Sequence, residues 1–353
     1  MRRIAVLVTL ALAVAVTPTQ PAGSVPPPAA SALVLTPVTT ADRGTTRGAT
    51  SRPTKVVIVT LDSVGSRAIR LAGRDRAPTL HWLLRRGAGT LNARTLQEKT
   101  LTLPNHTSVV TGRRLDAAHG GHGVSWNDNR TEPATVQEAA GHAVSSVFRV
   151  VGSKKRETSL FASKEKLRLF ERSWGEGINR VVIDENNRVL ARKARRDLVR
   201  HRRELTFLHL SGPDNVGHDA GFLSEAHLNA VAEADRLLAR LISAIKARPR
   251  LRKHVTVIVT ADHGGKDGGH GNATELVNYR IPFIVWGAGV KPGADLYELN
   301  PRDYRNPRKR RTWYGAKRPP VRNGDAANLA TDLLGLRALR GSQFNARQSL
   351  DVR

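Results

Sequence analysis

Residues 257–271 read Val-Ile-Val-Thr-Ala-Asp-His-Gly-Gly-Lys-Asp-Gly-Gly-His-Gly. An apolar, β-branched run ends abruptly in Asp262-His263, and a glycine-rich loop then leads to His270. A carboxylate beside imidazoles suits zinc better than calcium or magnesium. The chain has no cysteine, so any metal must be held by His, Asp or Glu.

Two other segments have the same form. The run 56–61 leads into Asp62, and the run 205–210 leads into Ser211-Gly212-Pro213-Asp214-Asn215-Val216-Gly217-His218. Asp214 and His218 are four apart, so one helical turn lets both face a single ion. Six candidate ligands result: Asp62, Asp214, His218, Asp262, His263 and His270. A catalytic zinc usually takes three protein ligands and keeps a position open. Six therefore match two ions, and metals ~3.5–4 Å apart clamp the attacking and leaving oxygens of an in-line displacement.

A nucleophile candidate lies between the first two runs, in Thr100-Leu101-Thr102-Leu103-Pro104-Asn105-His106. Pro104 suits a first helical turn. That puts Thr102 at a helix N-terminus, where backbone N–H groups favour an anion. Its hydroxyl is a weak nucleophile until a metal lowers its pKa. Asn127, in His122-Gly123-Val124-Ser125-Trp126-Asn127, offers an amide to a phosphoryl oxygen. Taken singly, each residue has a structural reading: an Asp after a strand caps a helix, Thr102 is an N-cap, and His106, His122 and His209 pack or hydrogen-bond. The joint order carries the chemistry.

Strands are expected at 56–61, 205–210, 255–261 and 281–286, with a shorter one at 180–183. A helix is expected at 224–247, where Leu228, Val231, Leu238, Leu241 and Ile245 recur at helical spacing and Ser224 can cap. A final helix is expected at 326–334, capped by Asp325. Strands alternating with helices predict an α/β fold, a doubly wound and mostly parallel sheet with helices on both faces.

Arg2 and Arg3 precede an apolar stretch, 4–16, too short for a membrane span of ~20 residues but of the size of a signal h-region. Residues 1–32 read as a signal peptide, with Ala30-Ser31-Ala32 as a possible cleavage pattern and an uncleaved anchor as the alternative. A linker rich in Pro, Thr and Ala follows at 33–54, then a catalytic domain at 55–345. This order predicts a secreted or extracytoplasmic protein of the cell envelope, with no transmembrane segment beyond the signal. Lys and Arg total 57 against 30 Asp and Glu, a formal charge of +27. That excess suits anionic partners, a small phosphoester substrate or acidic cell-surface polymers, or, since the basic residues are scattered along the chain, only a solvated Arg-rich surface. Aromatics are 5% and no recognition module is present, so no specific nucleic-acid role is expected. The densest basic run, 305–318, is a substrate-side patch or a surface loop. A basic cell-surface binding protein is the non-enzymatic alternative.

As a set, strand-Asp62, Thr102-x-Pro104-Asn105-His106, His122-Gly123-x-x-x-Asn127, Pro213-Asp214-x-x-Gly217-His218, Asp262-His263-Gly264 and Gly269-His270-Gly271 resemble the alkaline phosphatase superfamily. The likeness spans 55–342 and is closest to the type I phosphodiesterase/nucleotide pyrophosphatase branch. The resemblance implies an alkaline phosphatase-like fold, two zinc ions and a phosphothreonine intermediate on Thr102. Asp214, His218 and His270 would hold one zinc. Asp62, Asp262 and His263 would hold the other, which also contacts Thr102, and Asn127 would bind the phosphoryl oxygen.

Three features depart from the family pattern. Ser63 stands where Gly is usual. The stretch 112–122 is long, so Asn127 is placed from His122-Gly123. No His follows His270. Some phosphomonoesterases of the superfamily add a Lys-x-Arg pair. Here Lys154-Lys155-Arg156 and Lys164-Glu165-Lys166 are available, and Lys164 or Lys166 reaching the phosphoryl group would favour monoesters over diesters. A phosphonate hydrolase would share this plan. A sulfatase, with a modified Cys or Ser and calcium, fits a Thr-x-Pro motif poorly.

Overall fold

The computed structural model describes residues 53–353; the expected signal peptide and most of the expected linker lie outside them. The described chain forms one eight-stranded sheet, ordered β4-β3-β5-β1-β6-β7-β2-β8. In chain order the strands are β1 (Lys55–Leu61), β2 (Ala88–Arg94), β3 (Thr158–Ala162), β4 (Arg180–Ile183), β5 (Leu205–Leu210), β6 (Val255–Thr260), β7 (Arg280–Gly287) and β8 (Ala294–Asp295). β1 pairs in parallel with β5 on one side and β6 on the other. β7 alone opposes its neighbours, pairing antiparallel with both β6 and β2. The sequence run at 281–286 is thus a strand of reversed direction. No long crossover helix separates it from β6, the element that usually carries a parallel return.

Alternation along β1 shows how the layers form. Val56 and Ile58 enter the core on one face, while Val57, Val59 and Leu61 enter the core on the other, as the two-residue period of a strand requires. One face is covered by helices Ser66–Arg76, Pro78–Arg86, Asn187–Arg200 and Glu225–Lys246; the other by Thr102–Thr111, Val147–Gly152, Leu169–Trp174 and Asp325–Leu333. Burial of both faces explains why the central strands read as unbroken apolar runs.

The helix Glu225–Lys246 is capped by Ser224, whose side chain accepts from His227 N, as its sequence predicts. It also completes a neighbour. The helix Pro78–Arg86 follows Ala77, which has no capping side chain, and Asp235 instead accepts from Thr79 N (3.0 Å) and Leu80 N (2.8 Å). The last helix begins one residue earlier than expected. Gly324 is its N-cap and Asp325 its first helical residue, with the Asp325 carboxylate accepting from Arg322 N at 2.9 Å. β2 and β3 escape a reading by apolar runs. β2 is Ala-Gly-Thr-Leu-Asn-Ala-Arg with an irregular register between Thr90 and Ala93, and β3 is only five residues long.

Candidate active site

The C-terminal ends of β5, β1 and β6 lie side by side, so three loops meet at one edge. Asp62 follows β1, and the helix Gly212–Ala220 after β5 carries Asp214 and His218. Asp262 and His263 follow β6. The loop 264–271 folds back to bring His270 against His263, their rings stacked with centroids 3.8 Å apart. Two triads result: Asp214, His218 and His270; and Asp62, Asp262 and His263. In each, one ligand atom per residue lies within 4.8 Å of the others. His218 Nε2 is 3.6 Å from Asp214 and 3.1 Å from His270 Nε2. His263 Nε2 is 3.4 Å from Asp62 and 3.2 Å from Asp262.

The donor atoms fit metal ions. Asp62 Oδ1, Asp214 Oδ1, Asp262 Oδ2 and His263 Nε2 are buried without a hydrogen-bond partner, although buried polar atoms are nearly always paired. Three buried carboxylates meet here, and the one ammonium among them, Lys164, cannot balance their charge. Burial and mutual repulsion with Asp62 push Asp262 well above the usual carboxylate range and raise Asp214. Burial opposes ionisation of Asp62 too, but Lys164 and a hydrogen bond from His209 overcome it and hold Asp62 well below that range. Burial lowers His263 and His270, which keeps their imidazoles neutral with lone pairs available. Divalent cations would resolve the excess negative charge and use the orphaned atoms.

The outer hydrogen bonds point the same way. His263 Nδ1 is 2.9 Å from Gly264 O and His270 Nδ1 is 2.6 Å from Thr100 O, so both rings turn Nε2 inward. Metal-binding histidines are commonly oriented by such bonds. The Asp62 carboxylate is held at 3.0 Å by His209 Nε2, and Asp262 accepts from Ser63 N at 3.1 Å. Ser63 has a left-handed backbone, φ 60°. That conformation favours glycine and accounts for the family's usual residue there. Here the Ser63 hydroxyl lies 3.3 Å from His227 Nε2.

Phe222 braces the histidines. Its ring packs edge-on against His218 and His270, in a slot between Gly217 and Gly265. A Cβ on either glycine would come within 2.4 Å of the ring.

Thr102 is the first residue of the buried helix Thr102–Thr111. Of the helix's first donors, Leu103 N is taken by Asn127 Oδ1 at 2.9 Å and Pro104 has none, which leaves Thr102 N–H. The same bond orients Asn127 and frees its NH2 to donate. His106 is buried, with Nδ1 3.5 Å from the Asp262 carboxylate. Its Nδ1 lies 2.8 Å from Thr102 O and its Nε2 2.9 Å from Thr60 Oγ1. His122 is buried and its Nδ1 accepts from Val124 N; burial lowers its pKa to about 3.

Lys164 joins these parts. Its Nζ lies 3.4 Å from Thr102 Oγ1, 2.8 Å from Asp62 and 2.5 Å from Asp214. Lys166 donates to Asn127 O. Both follow β3 and so stand at the same sheet edge as the triads. The other candidate group, Lys154 to Arg156, precedes β3 and therefore lies at its opposite end, where Arg156 bonds Leu334 O. His209, Thr100 and Ser63 were not singled out from the sequence as parts of the site. The register offers a signal for His209, since it pairs with Thr60 on β1, two residues before Asp62.

This architecture is alkaline phosphatase-like. The described fold resembles a protein in the alkaline phosphatase superfamily from Vibrio parahaemolyticus (TM-score 0.57, 15% identity, 84% of this chain and 70% of that one). It also resembles murine ectonucleotide pyrophosphatase/phosphodiesterase 5 (TM-score 0.60, 16% identity, 84% of this chain and all of that one). A sequence profile of the type I phosphodiesterase / nucleotide pyrophosphatase family matches residues 56–314, and the chain belongs to that family. A curated relative, GPI ethanolamine phosphate transferase 1 of Schizosaccharomyces pombe, is 25% identical over 274 residues, covering 74% of this chain and 28% of the relative. The chain spans less than a third of the curated relatives it matches. No helix among the described residues is long and apolar enough to cross a membrane.

Proposed function

We propose that the protein is an exported, zinc-dependent phosphoester hydrolase that works through Thr102. The observation that carries this reading is the convergence at Lys164: one ammonium touches the Thr102 hydroxyl and a carboxylate from each triad. A nucleophile and two candidate metal groups therefore share one point. Asp214, His218 and His270 would hold one zinc, and Asp62, Asp262 and His263 the other, beside Thr102. Bound zinc supplies Lewis acidity, lowering a hydroxyl's pKa and neutralising charge on the leaving oxygen. The Thr102 hydroxyl gives its proton to solvent, Oγ bonds phosphorus as the bond to the leaving oxygen breaks, and that oxygen departs with its electron pair and takes up a proton from water. Asn127 NH2 and Thr102 N–H donate to the non-bridging oxygens. Water then attacks phosphorus in line and releases the Thr102 oxygen.

Lys164 and Lys166 favour a second, narrower reading. One ammonium on the Thr102 hydroxyl and a second on the Asn127 carbonyl suit the dianionic end of a monoester better than the single charge of a diester. The curated relatives are named as transferases, so an alcohol replacing water in the second step is the rival outcome. Thr102→Ala is expected to abolish turnover of p-nitrophenyl phosphate and its bis-ester while two zinc ions per chain remain bound. Retained turnover removes the proposed nucleophile. Wild-type product analysis with added ethanolamine separates hydrolysis from transfer.

A further inference from the structure

The segment 305–318 forms a groove of about 920 Å³, lined by Arg305, Arg308, Arg310, Arg311, Lys317 and Arg318 around Trp313, with no acidic side chain in its lining. The groove is built into the fold. Two buried arginines, Arg94 and Arg322, point their guanidinium groups at the loop's backbone. Arg94 donates to Arg308 O (2.8 Å) and Arg310 O (3.3 Å), and Arg322 donates to Thr312 O (2.7 Å). With its carbonyls drawn inward, the loop turns its own cationic side chains outward. The Trp313 ring lies against Gly315, where a Cβ would come within 2.4 Å of the indole, yet the residue stays 68% exposed.

This groove is tethered to the segment that leads to the nucleophile. Gln97 N donates to Tyr314 Oη at 2.8 Å and Gln97 Nε2 to Thr312 O at 2.5 Å; Tyr314 Oη donates to Glu98 at 2.5 Å. Gln97 is five residues before Thr102, at most about 18 Å of extended chain.

We infer that this groove binds a linear polyanion carrying repeated phosphates. Clustered guanidinium groups suit phosphate oxygens. The concave shape suits a chain lying within it rather than the plane of a bilayer, and an exposed aromatic gives a chain unit an apolar face to rest on. The bound length places a chain end within reach of Thr102. That last step rests on the phosphoester reading above; the binding itself does not.

The test measures binding of a linear polyphosphate to the zinc-loaded protein by sedimentation, for wild type and every variant. Affinity is expected to fall roughly 100-fold between 50 and 200 mM salt, as neutralising about five phosphates implies. The variant R305Q/R308Q/R310Q/K317Q alters side chains that make no hydrogen bond among the described residues. It is expected to lose affinity by on the order of 100-fold and to flatten the log–log salt slope by about 3, with p-nitrophenyl phosphate turnover unchanged. Trp313→Ala, a second and independent variant, is expected to weaken binding without altering the salt slope. Equal binding by wild type and the four-site variant overturns the inference, as does binding to anionic phospholipid vesicles without binding to polyphosphate. If wild type binds polyphosphate but turns over no phosphoester, the groove stands and the proposed function falls.

Discussion

Thr100 and His270 are joined by two hydrogen bonds running in opposite directions: His270 Nδ1 faces Thr100 O at 2.6 Å, and Thr100 Oγ1 donates back to His270 O. The pair ties the backbone two residues before the nucleophile to a candidate ligand of the triad Asp214, His218 and His270, the outer one because His218 is exposed. Removing only the hydroxyl, in Thr100→Val, keeps the side-chain volume and the carbonyl. Zinc affinity is expected to fall by no more than about 10-fold, the low end for changes around a ligand, because the lost bond fixes the His270 backbone while the ring keeps its Thr100 carbonyl partner. Chelator competition measures it, and unchanged affinity would show that the ring is held by its other contacts alone.

Gly265 is constrained by Phe222. A methyl group placed there would come within 2.4 Å of the ring, and the ring supports both His218 and His270. Gly265→Ala is expected to cost about 1–3 kcal/mol of stability through overpacking and to lower zinc occupancy of the outer triad first. Metal content and a denaturation curve would test this together. A stable variant with full metal content contradicts the bracing role.

Lys164→Ala separates substrate selection from general electrostatics. If the ammonium serves the extra phosphoryl charge, kcat/KM for p-nitrophenyl phosphate should drop roughly 100-fold, with a much smaller loss on the bis-ester. An equal loss on both esters would mean that Lys164 acts by balancing Asp62 and Asp214 instead.

Asp325 gives a pH dependence away from the catalytic cluster. Burial, only partly offset by the Arg322 backbone bond and charge, raises it from 3.8 to about 7. A folded-state pKa above the unfolded value means that the native state binds the proton more tightly. This contribution to stability is full below about 3.8 and is lost as pH rises towards about 7. Asp325→Asn keeps an acceptor for Arg322 N but cannot titrate, so its stability relative to wild type should rise between pH 4 and pH 7. Urea denaturation across that range measures the difference, and a constant difference would rule out titration there.

The sequence carried the central architecture because the central strands are buried on both faces. β1, β5 and β6 had to be unbroken apolar runs, and each run ends where polar chemistry begins, so Asp62, Asp214 and Asp262-His263 stood out. The four-residue spacing of Asp214 and His218 and the single late His270 were equally visible. Less regular elements carried no such mark. β2 contains Gly, Asn and two Ala, and the reversal of β7 depends on the path of the connection after β6, which carries only the short helix Leu276–Tyr279, rather than on its own composition.

By itself, then, the sequence determined which residues could do the chemistry and which strands deliver them, since burial dictates apolar composition and strand ends dictate position. Only the tertiary structure decided how those residues are grouped and supported. The stacking of His270 on His263, the hold of His209 on Asp62, and the placing of Lys164 rather than Lys154 beside Thr102 depend on strand order and loop path. These relationships join residues up to 147 positions apart, and no local pattern encodes a contact at that separation.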